Sequence, residues 1–269
     1  MKPSRMKEVL IDVLKTRWPV FIWGPPGVGK SSLVKEIASN KNIKLLDVRA
    51  SLLDPTDLRG IPYVTSETAK WAPPAFLPYD KKSEGILFFD ELNAAPPLVQ
   101  ASLYQLTLDR RLGEYELPEK WRILAAGNRA EDASVVFRMP AALSNRFIHL
   151  DFEHNLEDWR NWAIDNKIHP LVLGFLGTRG EMLFKMSSSE RAFPTPRSWE
   201  ILSDQLQVFD NYKQIEELMT GTIGEAATIE FMAYCRNALS EKQILKIIKD
   251  PEKAKLPEKL SDIYALISY

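Results

Sequence analysis

Short apolar runs recur along the first half of the chain, and each predicts a strand; the first three are expected to be buried. These runs are residues 19–23, 43–48, 86–89, 123–126 and 147–152, the last with alternating apolar positions. Apolar residues at helical spacing lie between the runs and predict helices. They cover residues up to about 16 and residues 31–38, 97–108 and 140–146. Because strands and helices alternate, the pattern predicts an α/β domain with a five-stranded parallel sheet flanked by helices.

Two segments interrupt this alternation. Residues 51–80 are rich in proline, so we expect a loop there, with a short helix only within residues 52–59. Residues 113–121 look like a hairpin.

Beyond residue 153 the strand signals stop and helical spacing takes over. The helical patterns cover residues 156–166, 171–176, 197–209 and 244–249. We therefore expect two domains, an α/β domain over residues 1–153 and a smaller all-helical lid over residues 154–269.

Composition narrows the class of protein. The chain has 269 residues, 45% of them hydrophobic and 26% charged, which is typical of a globular protein with a sizeable core. The net charge of −1 gives no overall bias toward nucleic acid or a membrane surface.

No apolar run approaches the roughly 18 residues that a membrane span needs. The start of the chain lacks the unbroken apolar stretch of a signal peptide, and the single Cys235 has no internal partner for a disulfide. We therefore expect a cytoplasmic protein.

A glycine-rich segment between the first strand and the following helix matches the phosphate-binding pattern G-x-x-x-x-G-K-[ST] in full. Its backbone amides would surround phosphate oxygens, Lys30 would reach the β and γ phosphates of ATP, and the Ser31 hydroxyl would bind Mg²⁺. The alternative, a strand-to-helix turn without a ligand, leaves Lys30 and Ser31 unexplained. The predicted nucleotide-binding residues are Gly24, Pro25, Pro26, Gly27, Val28, Gly29, Lys30, Ser31 and Ser32.

Two adjacent acids follow the apolar run 86–89. Ligands of parallel sheets bind at the carboxyl ends of the strands, so both acids should lie near the phosphates. We expect Asp90 to hold Mg²⁺ together with Ser31, and Glu91 to orient or deprotonate the attacking water. A solvated strand end is the alternative for an isolated acid pair, but the complete phosphate loop upstream favours the site.

Taken together, these residues resemble those of the AAA+ ATPases, in the MoxR-like and dynein-related branch, over residues 18–209. The resemblance implies that Asn128 is a polar sensor beside the two acids. It implies that Arg146 is an arginine finger that reaches the γ-phosphate of the neighbouring subunit. Arg138 and Arg129 compete for that assignment. The resemblance also implies that Arg197, at the start of a lid helix, contacts the phosphates of its own subunit.

The same resemblance implies a ring, a homo-hexamer with ATP sites between subunits. Relatives act as chaperone-like remodellers or activators of a partner protein, often one with a von Willebrand factor A domain. Residues 54–60 and 113–121 resemble an insert and a hairpin that project toward the ring axis or the partner in relatives. No pore motif is obvious, so remodelling of a folded partner is favoured over threading of an unfolded chain.

Other functions remain as alternatives. A nucleic-acid motor or loader is disfavoured because the chain has near-zero net charge and lacks a basic stripe with interleaved aromatics. Its remaining support is Arg110, Arg111 and Lys120, which flank the hairpin. A nucleotide switch that does not hydrolyse is disfavoured by Glu91 and Asn128. A P-loop kinase is disfavoured because the acid pair, the sensor and the arginine from the neighbour describe attack by water.

Overall fold

The computed structural model describes residues 1–132, 136–187, 190–209, 211–237 and 247–251, and the single positions 244, 254, 257, 263 and 266. The chain divides into two compact units, Met1–Glu153 and His154–Tyr269.

The first unit contains the five-stranded parallel sheet that the sequence predicts. Its strands, with those of two small hairpins, are β1 (Val20–Trp23), β2 (Lys44–Arg49), β3 (Ile61–Val64), β4 (Ala69–Ala72), β5 (Gly85–Asp90), β6 (Arg111–Leu112), β7 (Tyr115–Glu116), β8 (Trp121–Gly127) and β9 (Ile148–Asp151). The order across the main sheet is β2-β5-β8-β1-β9. Strands β5, β8 and β1 are therefore the three central strands, and their carboxyl ends are adjacent.

Helices surround this sheet, and their starts follow local sequence signals. They are α1 (Pro3–Val13), α2 (Lys30–Asn40), α3 (Pro55–Arg59), α4 (Pro97–Asp109) and α5 (Ala141–Ser144). Proline lies at the first turn of α1, α3 and α4, where its missing N–H costs no hydrogen bond. A capping box between Asp54 and Asp57 also fixes the start of α3.

Burial of the strands follows their position in the sheet. Residues 85–89 of β5 and nearly all of β8 are buried, because helices and neighbouring strands cover both faces. Strand β2 was expected to be buried as well, and that prediction is wrong. It lies at the edge of the sheet and exposes Lys44, Asp47 and Arg49, while its apolar residues are half-buried.

Within residues 51–80 the expected short helix is present as α3, but the expectation that the rest of the segment is a loop is wrong. Strands β3 and β4 form an antiparallel hairpin within this segment. All eight of its residues are exposed, so the hairpin has no buried apolar face that the sequence could signal. The predicted hairpin over residues 113–121 lies a few residues earlier, as β6 and β7, because Trp121 already begins the buried strand β8.

The second unit is helical where it is described. Its helices are α6 (Leu156–Asp165), α7 (Pro170–Thr178), α8 (Pro196–Val208), α9 (Glu216–Ile223) and α10 (Glu225–Asn237). Phe175, Trp199 and Phe231 pack together at its centre. The predicted helix over residues 244–249 falls partly outside the described residues.

Among the described residues, no helix combines the length and the apolar character needed to span a lipid bilayer.

Candidate nucleotide site

The carboxyl ends of the three central strands bring most of the predicted site residues to one edge of the sheet. The glycine-rich segment follows β1, Asp90 ends β5, and Asn128 follows β8. Strand β1 pairs with β8, and β8 pairs with β5. Three segments separated by up to about 100 residues of sequence therefore meet at adjacent strand ends.

The glycine-rich segment has a backbone that ordinary residues adopt only at a cost. Gly27 and Gly29 have φ angles of 76° and 103°, in the region that favours glycine. Gly24 lies against strand β9, where a Cβ atom would come 2.9 Å from the Phe152 carbonyl oxygen. Among the described residues no side chain caps the start of α2. A helix start of this kind, preceded by glycine in a left-handed conformation, suits an anion such as phosphate.

Lys30 lies at the first position of α2 and is only 8% exposed. Its Nζ donates to the carbonyl oxygens of Gly24 and Pro25 at 2.6 and 2.9 Å, and to Asn128 Oδ1 at 2.9 Å. The buried ammonium is therefore held between the glycine-rich segment and the predicted sensor. These contacts place a positive charge where the segment would receive phosphate.

Ser31 and Asp90 form the predicted pair of metal ligands. The Ser31 hydroxyl donates to Asp90 Oδ2 at 2.6 Å, which joins the start of α2 to the end of β5. A hydroxyl and a carboxylate are the hard oxygen donors that Mg²⁺ prefers, and two protein ligands leave positions for water and phosphate oxygens. The residues present therefore fit a magnesium ion bound together with a nucleotide.

Glu91 directly follows β5 with a φ of 55°, so its backbone turns sharply away from the strand. The Ser51 hydroxyl donates to Glu91 Oε2 at 2.6 Å, and Arg49 Nη1 lies 4.0 Å from Glu91 Oε1. Sequence reasoning missed Ser51 as a partner of the acid. Its position just after β2, the strand next to β5, is the only signal that could have indicated it.

Asn93 is a second residue that the sequence interpretation missed. It is 3% exposed, and its Nδ2 donates to the Asn128 carbonyl oxygen at 2.7 Å. A Cβ atom on Gly127 would come within 2.1 Å of Asn93 Oδ1, so the close packing here requires glycine. Asn93 and Gly127 together fix the backbone of Asn128, whose side chain contacts Lys30.

Arg146 lies beside the amino ends of the parallel strands, opposite the carboxyl ends that carry the predicted nucleotide site. It precedes β9, whose first residue Ile148 pairs with Val20, the first residue of β1. The glycine-rich segment follows the other end of β1, and a strand of four residues spans about 10 Å. The structure therefore does not bring Arg146 together with Lys30, Asp90 and Asn128 within one chain.

The two competing arginines differ in their surroundings. Arg129 Nη2 donates to Asp151 Oδ1 at 2.8 Å, and this pairing raises the pKa of its guanidinium against the lowering effect of burial. Arg138 is exposed.

Arg197 belongs to the second compact unit, where it is exposed on the first turn of α8. A capping box between Thr195 and Ser198 fixes the start of that helix.

Comparisons with known proteins agree with this geometry. The family model of the AAA domain, dynein-related subfamily, matches residues 19–147. MoxR of Methylorubrum extorquens is 28% identical over 174 residues, which are 62% of this chain and 50% of that protein. Midasin of Giardia intestinalis is also 28% identical over 174 residues, 61% of this chain but 4% of that protein. The chain thus spans at most about half the length of these relatives.

Solved structures resemble the chain more remotely. A mutant RuvB of Thermotoga maritima is 16% identical, with a TM-score of 0.49, and the match covers 93% of this chain and 77% of that one. NtrX of Brucella abortus in complex with ADP is 18% identical, also with a TM-score of 0.49, and the match covers 97% and 62%. Scores below 0.5 are too low to transfer a function.

Proposed function

Because this chain belongs to the AAA+ ATPases, in the dynein-related and MoxR-like branch, we propose that it hydrolyses ATP to ADP and phosphate. One observation supports the proposal above all. Lys30, Ser31, Asp90 and Asn128 converge at one edge of the sheet through hydrogen bonds of 2.6 to 2.9 Å. Each side chain has the chemistry that its step of phosphoryl transfer needs.

Binding of ATP is the first step. Backbone N–H groups within residues 27–32 surround the phosphates, and the Lys30 ammonium neutralises charge on the β and γ groups. Ser31 and Asp90 would hold Mg²⁺, which would supply further charge neutralisation. Because Lys30 is buried, its attraction to phosphate is weakly screened by solvent.

Attack by water is the second step. Glu91 takes the role of the base that orients or deprotonates this water, and Asn128 fixes its position by a hydrogen bond. The contact of the Asn128 side chain with Lys30 supports this role. The Ser51 hydroxyl holds one oxygen of Glu91 and so influences where the carboxylate points.

Stabilisation of the transition state comes from a second subunit. Arg146 lies about 10 Å or more from the phosphate-binding segment of its own chain, at the other edge of the sheet, which suits a contribution to a neighbour's site. Repetition of this contact gives a ring, and we propose a homo-hexamer with ATP sites between subunits. Arg197 is proposed to contact the nucleotide of its own subunit from the helical unit.

The partner is proposed from the dynein-related and MoxR-like branch. We propose a chaperone-like remodeller or activator of a protein partner, with a von Willebrand factor A domain as the first type of partner to test, acting in the cytoplasm. A nucleic-acid motor or loader is the alternative. The net charge of −1 counts against it. A rise in ATPase rate on adding DNA or RNA, lost at high salt, would favour it.

The proposal is tested by the ATPase rate per subunit as a function of protein concentration, with the mass measured in parallel by light scattering. We expect a specific rate that rises as ATP promotes assembly. A rate independent of concentration, from a protein that stays monomeric, would contradict the shared site. No hydrolysis at any concentration would contradict the enzymatic activity itself.

A further inference from the structure

The Arg146 side chain is folded back against its own subunit. Its guanidinium carbon lies 3.4 Å from the centre of the Tyr104 ring, on α4. Its Nη1 donates to the Ala142 carbonyl oxygen, one turn earlier in the chain. The aromatic face and a single carbonyl oxygen are the contacts that hold this cation among the described residues.

This resting position leaves part of the guanidinium unsatisfied. Arg146 Nε is buried and has no hydrogen-bond partner in the part of the chain that the structure describes. A buried N–H without an acceptor is unfavourable, and an arginine fork has its strongest partners in phosphate or carboxylate oxygens. The contact with Tyr104 is therefore favourable but incomplete, and an incoming phosphate would satisfy more of the guanidinium than the ring does.

Tyr104 is suited to act as a fixed platform. It is half-buried and packs against the core cluster of the first unit, on the same helix as the buried Leu103 and Leu106. Beside Arg146 lies an open cavity of about 340 Å³, lined among others by Trp18, Leu108 and Asn145. The guanidinium thus lies against a ring that is anchored in the core and also lines an open cavity.

We propose that Tyr104 is a positioning residue that holds Arg146 in a resting orientation and releases it to the phosphate of an adjoining subunit. The inference rests on the proposed role of Arg146 between subunits. A cation–π contact of this class changes a two-state population by roughly 2- to 30-fold. Because only the released arginine binds the neighbour's nucleotide, the resting contact weakens assembly by the same factor.

The test measures ATP-dependent assembly, which does not require hydrolysis. Light scattering against protein concentration, with a non-hydrolysable ATP analogue, gives the concentration of half-maximal assembly for the unmutated chain, Tyr104→Leu and Tyr104→Phe. We expect Tyr104→Leu to lower this concentration by about 2- to 30-fold, because the ring is lost. Tyr104→Phe keeps the aromatic face and should stay within about twofold of the unmutated chain.

A second background separates positioning from general structure. In Arg146→Ala the leucine substitution should produce no further shift, because no guanidinium remains to be held. In the ATPase assay Tyr104→Leu should move the concentration dependence and leave the maximal rate unchanged. An unchanged or higher assembly concentration in Tyr104→Leu would overturn the inference. So would a shift that persists without Arg146, or an unmutated chain that stays monomeric with the analogue.

These outcomes are separate from failure of the proposed activity. If the analogue drives assembly and Tyr104→Leu shifts it while ATP is not hydrolysed, the positioning role stands and the ATPase proposal falls. If hydrolysis depends on assembly but Tyr104→Leu behaves like the unmutated chain, the reverse holds.

Discussion

The two ends of the parallel strands differ in how far the hydrogen bonds of their polar side chains are satisfied. The carboxyl edge carries the predicted nucleotide site, and the opposite edge carries Arg146. At the carboxyl edge Lys30, Ser31 and Glu91 each have hydrogen-bond partners within the chain, while the buried acceptor Asn93 Oδ1 has none among the described residues. At the opposite edge Arg146 has a buried Nε without a partner among the described residues. Exposed apolar side chains, Trp18 at 51% and Ile148 at 39%, lie beside it.

This difference indicates what each edge can do alone. Buried polar groups are normally paired, and a site whose groups are paired in advance pays less reorganisation when the ligand arrives. Apart from Asn93 Oδ1, the carboxyl edge is in this sense prepared for a nucleotide within one chain. The edge that carries Arg146 has an unpaired donor and exposed apolar surface, both of which a second molecule would cover.

The largest expected effect is at the carboxyl edge. Lys30→Ala removes a buried charge that would make more than one charge-assisted hydrogen bond to phosphate, at about 1.5–3 kcal/mol each. We expect the dissociation constant for ATP to rise on the order of 10³-fold, measured by titration with a fluorescent ATP analogue.

Lys35→Ala is the matched control for this variant, because Lys35 lies on the same helix, is exposed and pairs with Asp47 at 3.3 Å. It should bind ATP like the unmutated chain. Equal loss in both variants would indicate damage to α2 rather than loss of a phosphate ligand.

Arg146→Ala tests the other edge. The variant should bind ATP normally and lose on the order of 10³-fold in the maximal rate, because charge in the transition state is no longer neutralised from the neighbour. Arg138→Ala, the exposed competitor, should keep its rate.

A mixture of the Lys30→Ala and Arg146→Ala variants tests both edges in one assembly. Lys30→Ala subunits retain the arginine and Arg146→Ala subunits retain the phosphate-binding segment, so a mixture should recover activity that neither variant has alone. Failure to recover activity in mixed assemblies of confirmed mass would argue that Arg146 acts within its own subunit or only in folding.

Glu91→Gln should reduce the rate by about 10²-fold or more, since an amide cannot accept the proton of water. Binding of ATP should be retained, so the variant should accumulate as an assembled complex with ATP, seen by light scattering and nucleotide analysis. Glu84→Gln, on the exposed turn before β5, serves as its control. Turnover at the unmutated rate would reject Glu91 as the base.

The sequence predicted those parts of the molecule that depend on local patterns. Buried strands such as β5 are continuous apolar runs, and the phosphate-binding segment is a motif within one turn. Strand ends of a parallel sheet lie at one edge, so the meeting of Ser31 and Asp90 followed from topology.

What the sequence did not indicate depends on contacts between distant residues or on exposed strands. Ser51 meets Glu91 across 40 residues of chain, and no periodicity marks it. Arg146 rests on Tyr104, which reads in the sequence as one more residue of an apolar helix. The exposed hairpin of β3 and β4 has no buried face, so hydrophobic patterning carries no signal for it.

The smallest expected effect concerns one of these distant contacts. Ser51→Ala removes a hydroxyl that donates to Glu91 Oε2 at 2.6 Å and restrains the carboxylate at the prepared edge. Its loss should therefore free Glu91 and raise the maximal ATPase rate by about two- to fivefold, with ATP affinity unchanged. Ser51→Thr keeps a donor and should behave like the unmutated chain. A rate that falls in Ser51→Ala and is restored in Ser51→Thr would show instead that the hydroxyl holds Glu91 in its working position, so that even this contact belongs to the prepared state of the carboxyl edge.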